Sequence, residues 1–271
     1  MTPVDIVYIC FVLWLGLALG SFSTALIWRV PRGLPWIFDT QNNHPGGKIC
    51  RSHCPYCLKN LSAIDLVPVF SWLFLRGKCR HCGVSYGFKY LVVEILVAIL
   101  CFITFMVWGS SLALLPILVS IPFLVALFVI DAEHFILPNQ LVFSVAICAL
   151  AFLVIQNSDN GAVLMETISS RVVASLLYGG FALILGRLMS RVLGKDALGG
   201  GDVKLFAVSG LWLGTVYLPF FLILSGIIGI IWAILFRVVS GQSIFPFGPA
   251  LIITLYIGII LLAYGIIPLV G

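Results

Sequence analysis

Residues 6–27 read IVYICFVLWLGLALGSFSTALI, an apolar run of about 22 residues with Asp5 before it and Arg29 and Arg32 after it. A membrane-crossing helix needs roughly 20 such residues. A secretory signal has a basic front, a shorter core and usually a small-residue cleavage site. This run has the opposite polarity and reads as a retained first helix. Similar runs recur at about 89–108, 112–130, 139–155, 171–193, 204–218, 220–239 and 249–270. Eight spans are therefore expected, with Pro219 blurring the boundary between the sixth and seventh.

The composition agrees. Of 271 residues, 62% are apolar and 9% charged, where a soluble domain carries roughly 25% charged residues. Twenty-five Lys, Arg, Asp and Glu cannot coat a soluble enzyme of this size. Disorder is excluded as well, since it needs low hydrophobicity and high charge. Only helices and closed barrels satisfy backbone polar groups in lipid. A barrel would show short alternating strands, and the runs here are unbroken. The fold class is an all-α polytopic membrane protein with about eight transmembrane helices.

The net charge of +5 is informative by position and gives no reason to invoke nucleic acid; the expected partner is the lipid bilayer. With eight spans, 14 of the 15 Lys and Arg fall on one side, and only Arg171 falls on the other. The positive-inside rule makes the first side cytoplasmic and puts both termini outside. The outer loop is expected over 156–170, with Asp159 and Glu166. Residues 1–28 read as the first transmembrane helix, 29–89 as a cytoplasmic insertion rich in proline and basic residues, and 90–271 as the membrane core.

Within the insertion stand Cys54-Pro55-Tyr56-Cys57 and Cys79-Arg80-His81-Cys82. Two residues between cysteines let both thiolates meet one tetrahedral ion, and two such turns complete a closed four-thiolate site. The spacer is slightly longer than usual for this pattern. A loop of this size barely holds a core alone, so a structural zinc is useful. Metal-free cysteines and a thiol redox role are the other readings. The reducing cytosol disfavours lasting disulfides. Cys50, His44, His53 and His81 are possible substitute ligands. Cys10, Cys101 and Cys148 lie in apolar spans and read as packing residues.

Acids are scarce in the membrane region, and ionisable groups there are costly and usually functional. Asp131 ends the third span, and Asp202 begins the sixth after Gly199, Gly200 and Gly201. The charge topology puts both at the cytoplasmic edge. Two close carboxylates share a proton. One then acts as base on a water while the other acts as acid toward a carbonyl and a leaving amine. Both could instead be interfacial helix caps, and Asp202 is placed as an N-cap before Val203. Lys204 could bias the local charge. Glu94, one turn into the second span, needs a partner such as Lys89, another helix, or a functional role. An ion-coupled transporter or channel is the alternative use of these acids, and a membrane thiol oxidoreductase the alternative use of the cysteines.

Taken in order, these residues resemble the type IV prepilin peptidases. The resemblance is carried by Gly20-Ser21-Phe22, Arg29-Val30-Pro31, the two cysteine pairs with Ser71-Trp72 and Leu75-Arg76-Gly77-Lys78, and Tyr90 through Glu94. Ile130-Asp131 through Leu137-Pro138, Gly199 through Lys204, and Pro246-Phe247-Gly248-Pro249 complete it. Thr24 stands where the family commonly has Asn, Asn139 where Asp follows Leu-Pro, and Leu91 where Pro follows Tyr. The resemblance implies an intramembrane aspartyl protease of the Gly-x-Gly-Asp class in the bacterial inner membrane, with Asp131 and Asp202 catalytic. Its substrates would be prepilins and pseudopilins of type IV pilus and type II secretion systems. Cleavage would follow the Gly that ends a short basic leader. The new N-terminal amine would then be methylated with S-adenosylmethionine. Gly199, Gly201 and Lys204 would support the site. Glu94 would hold the substrate's new ammonium. No residue is singled out for S-adenosylmethionine, whose site would have to be unconventional, between the insertion and the helices.

Overall fold

A computed structural model describes residues 3–36, 38–39, 48–49, 52–54, 56–194, 198–242 and 244–264. Its helices are α1 (Pro3–Arg29), α2 (Phe70–Phe74), α3 (Lys89–Trp108), α4 (Leu114–His134), α5 (Asn139–Gln156), α6 (Gly161–Leu193), α7 (Gly200–Leu213), α8 (Leu218–Ser240) and α9 (Gly248–Leu262). Phe38–Asp39 and Lys48–Ile49 add a two-residue antiparallel ladder inside the insertion. The chain divides into two compact units, Met1–Met106 and Val107–Gly271.

Each of the eight expected spans contains a helix among the described residues, but the lengths differ; the sixth breaks at Gly214, and residues 265–270 of the eighth lie outside the described residues. Among the described residues, six helices are long and apolar enough to cross a membrane by length and composition. The other two, α7 and α9, have 14 and 15 residues. At 1.5 Å per residue each is roughly 21–23 Å long, short of a hydrocarbon core about 30 Å thick. The expected outer loop over 156–170 is mostly helix. Asn160 caps α6 through Oδ1, which accepts from the amides of Ala162 and Val163 at 3.1 and 3.4 Å, so the helix begins ten residues before its apolar stretch. Asn at this position satisfies amides that otherwise have no partner.

In the first unit, α1 and α3 meet through small residues. A Cβ on Gly16 would lie 2.7 Å from Ala98 Cα, and one on Gly20 would lie 2.7 Å from Glu94 Cα. Gly16 and Gly20 form the Gly-x-x-x-Gly spacing that lets helices approach closely in lipid. Cys101 is fully buried on the same helix, which agrees with its packing role, whereas Cys10 is exposed.

In the second unit, α7 packs against α5, α6 and α9. Every residue from Leu205 to Leu213 except Ala207 is buried. A helix apolar on all sides belongs in a core. Gly210 makes the approach possible, since a Cβ there would lie 2.6 Å from the Ala174 carbonyl of α6. Arg171, expected at the outer boundary, is instead buried within α6 and donates to the Trp212 carbonyl at 2.8 Å. It thereby satisfies a carbonyl at the C-terminal end of α7, where a cation is favoured by the helix dipole.

Candidate active site

Asp131 lies in the last turn of α4, and Asp202 in the first turn of α7. The two helix ends meet at Leu137, which lies against Gly248 beside Asp131 and against Gly201 beside Asp202. Each carboxyl group is held by a backbone amide. Gly248 N–H, the first amide of α9, donates to Asp131 Oδ2 at 3.0 Å. Gly199 N–H donates to Asp202 Oδ2 at 3.2 Å. Asp202 is therefore not the N-cap of its helix. Gly199 occupies that place, and Asp202 reaches back to it from three residues further on. Amides at helix starts have no intrahelical acceptor and favour an anion. Pro249 has no N–H, so Gly248 must supply the donor at the start of α9.

The glycines around the pair are steric requirements. A Cβ on Gly248 would lie 2.5 Å from Asp131 Oδ2, and one on Gly199 would lie 3.1 Å from Asp202 Oδ2. One on Gly201 would lie 2.8 Å from Leu137 Cβ, and the Cβ added on Gly248 would also lie 3.2 Å from Leu137 Cδ2. Leu137 thus sits against both glycine segments. Gly200 has open space around it, consistent with its place as the variable residue of the motif. Lys204 Nζ donates to Asn139 Oδ1 at 2.7 Å, tying the start of α7 to the start of α5. Asn139 thereby makes the contact that an Asp at this position would make as an ion pair.

Gly248 and Leu137 are the residues that sequence reading left unassigned. Their signal was present in the Pro246-Phe247-Gly248-Pro249 and Leu137-Pro138 segments, but neither motif says which side chain it touches. Phe247 packs on α8, where a Cβ at Gly229 would lie 2.7 Å from its ring, and so anchors the turn that presents the Gly248 amide.

The four cysteines converge separately, within the first unit. The sulfurs of Cys54, Cys57, Cys79 and Cys82 all lie within 4.8 Å of one another. The Cys54–Cys82 distance is 3.8 Å. A zinc bound tetrahedrally at about 2.3 Å requires sulfur–sulfur edges of about 3.8 Å, so the donor set fits zinc. The two turns are built alike. Leu58 N–H donates to Cys54 O and Gly83 N–H to Cys79 O, both at 2.9 Å, with Leu58 and Gly83 at φ 57° and 71°. His53 pairs with Asn60 and Lys78 with Ser85 as flanking bridges. The shared geometry makes the two loops matched metal knuckles. His53 and His81 are not part of the cluster. The His53 ring meets Trp28 edge-on at 5.6 Å. Cys50 and His44 lie outside the described residues.

Glu94 is buried on α3 and its Oε2 accepts from Val69 N–H at 2.7 Å. Its partners are thus the insertion's backbone and the Ser21 side chain of α1, the partner on another helix that was expected. Val69 sits at φ 61°, a conformation that is a genuine outlier for a β-branched residue.

Comparison with known proteins agrees with this architecture. Residues 14–108 match the Bacterial Peptidase A24 N-terminal domain, and residues 118–234 match the Type IV leader peptidase family. The chain is 33% identical to the prepilin leader peptidase/N-methyltransferase of Vibrio cholerae, over 93% of this chain and 96% of that protein. It is 33% identical to the one from Neisseria gonorrhoeae, covering 89% and 86%. It is also 32% identical to a type 4 prepilin-like proteins leader peptide-processing enzyme of Escherichia coli, covering 87% of each. No solved structure matches. The chain belongs to the type IV leader peptidase family. It is a multi-pass protein of the inner membrane, as its six apolar helices and its relatives indicate.

Proposed function

We propose that this chain removes the leader from prepilins and pseudopilins at the cytoplasmic edge of the membrane and then methylates the new N-terminal amine. The observation that carries the cleavage step is that Asp131 and Asp202 stand at helix ends that share the Leu137 wedge, each fixed by a helix-start amide. In this reading one carboxylate takes a proton from the attacking water. The other delivers its proton to the carbonyl oxygen; as the resulting diol collapses, the proton taken from water passes from the first carboxyl to the leaving amine, and the second carboxylate recovers its proton from the diol hydroxyl. The pair acts as a unit, and its pH dependence belongs to both residues together. The glycines keep side chains out of the space next to the carboxylates. Lys204 and Asn139 fix the register of α7 against α5 and so position Asp202.

The relatives named prepilin leader peptidase/N-methyltransferase support the second activity. S-adenosylmethionine supplies an electrophilic methyl group, and its sulfur leaves as a neutral thioether. Zinc, held by the four cysteines, would act as a staple, because a closed four-thiolate site has no open position for water. The charge distribution supports the orientation, with 14 of 15 basic residues on the side expected to be cytoplasmic.

Mass spectrometry of a prepilin incubated with the purified chain, with and without S-adenosylmethionine, tests both steps. Loss of the leader plus one methyl group at the new N-terminus is the expected result. Loss of the leader alone would remove the methyltransferase reading. An unchanged mass with a folded enzyme would remove the protease reading.

A further inference from the structure

A cavity of about 640 Å³ lies within the first unit, walled by α1, the insertion and the start of α3. Cavities that bind small molecules run about 300–1,000 Å³. Its lining carries aromatic rings and both signs of charge, with Lys78 and Arg80 among the cations. Trp28, Trp72, Arg29, Asp65 and Glu94 all line it.

Each of these side chains is held in place. Arg29 is buried and donates from Nη1 to the Trp36 carbonyl at 2.6 Å. Asp65 accepts from Ser62 N–H and Oγ at 3.0 and 2.6 Å, and from Arg80 Nε at 2.9 Å. The Ser62 hydroxyl holds its carboxyl below the usual carboxylate range, so Asp65 is anionic at neutral pH. Glu94 fixes Val69 in its outlier conformation beside Pro68, another lining residue. Backbone strain of this kind concentrates at ligand sites. Trp72 Nε1 is buried without an acceptor among the described residues. A buried donor left unpaired is costly, and a ligand acceptor would complete it.

From this arrangement we infer that the cavity is the binding site for S-adenosylmethionine. Trp72 Nε1 donates to the adenine, Trp28 (with the Arg32 guanidinium over its ring at 4.8 Å) forms the adjoining aromatic wall, and Arg29 takes the methionine carboxylate. Glu94 supplies the negative charge toward the sulfonium and ammonium, and Asp65, paired with Arg80, balances a cation of the same wall. A ligand with one anionic and two cationic groups matches a wall of mixed charge, and aromatic faces also attract a sulfonium. The inference rests on the methyltransferase part of the proposed function and gives that activity a location.

The test is ultraviolet cross-linking of the full chain in detergent with methyl-labelled S-adenosylmethionine, followed by peptide mapping. The expected label falls in residues 18–94 and is displaced by S-adenosylhomocysteine. Titration of S-adenosylhomocysteine should show affinity at least tenfold weaker in Arg29→Gln, and also weaker in the milder Trp72→Phe. Leader removal and zinc content, read alongside, report whether each variant is folded. Competed label confined to residues 107–271, in a protein that methylates, would overturn the site and leave the activity standing. A chain that removes leaders but neither binds nor transfers methyl would overturn the methyltransferase reading and the site with it. A phospholipid found in native mass spectra and not displaced by S-adenosylhomocysteine would also overturn the site.

Discussion

Replacing Gly248 with Ala places a methyl group against the side chain on which the proposed chemistry depends. The added Cβ would lie 2.5 Å from Asp131 Oδ2 and 3.0 Å from its Cγ, where ordinary contact begins at 3.4 Å. The carboxyl group or the start of α9 must therefore move by about 0.9 Å, and a misplacement near 1 Å costs on the order of 10²-fold in rate. That corresponds to about 2.7 kcal/mol in the transition state. The same reasoning grades the neighbouring glycines. Gly201→Ala meets Leu137 Cβ at 2.8 Å and should cost about tenfold, because the strain reaches the pair through Leu137. Gly199→Ala meets Asp202 Oδ2 at 3.1 Å, which a few tenths of an ångström relieve, and should slow cleavage by only about two- to fivefold. Gly200→Ala meets nothing within 4 Å and should leave the rate unchanged. The assay is the initial rate of leader removal from a purified prepilin, with thermal unfolding of each variant as the control for folding. A Gly248→Ala enzyme at the wild-type rate, or a Gly200→Ala enzyme as slow as Gly248→Ala, would refute the steric account.

Three further outcomes follow from the geometry. Asn139→Ala removes the 2.7 Å contact with Lys204 and should destabilise the protein by about 1 kcal/mol, while Asn139→Asp should restore or exceed the wild-type melting temperature through an ion pair. Elemental analysis should find about one zinc per chain, and Cys79→Ser should lose that metal and lower the protease resistance of the insertion. Arg171→Leu leaves the Trp212 carbonyl without its buried cation and should cost about 2–3 kcal/mol in a thermal or denaturant unfolding series. A wild-type unfolding curve for that variant would show that Arg171 does not cap α7.

What the sequence made legible, and what it hid, follows from the range of the signals. Apolar runs are local, so every membrane helix could be read from them, and the cysteine spacing described its own cluster. Asp131 and Asp202 stood out because acids are rare in apolar sequence. Helix lengths were less visible. Asn160 starts α6 well ahead of its apolar stretch, and α7 is short because other helices surround it, which hydropathy does not record. The Gly248 amide and the wedge of Leu137 were hidden, since each acts across more than sixty residues of chain. Glu94 was singled out as an acid in need of a partner. Ser21 on α1 is the partner on another helix that was expected; the second partner is a backbone amide in the insertion, and backbone amides carry no sequence signature.

The most direct test compares leader removal by Asp131→Asn, Asp202→Asn and the double variant, with all three shown to be folded. If the two carboxylates act as one unit, each single change should slow cleavage by about 10²–10⁴-fold or more. The double variant should be no slower than the worse of the two, because residues that act as a unit are not additive. Wild-type cleavage by either single variant, or losses that multiply in the double variant, would contradict the aspartate pair.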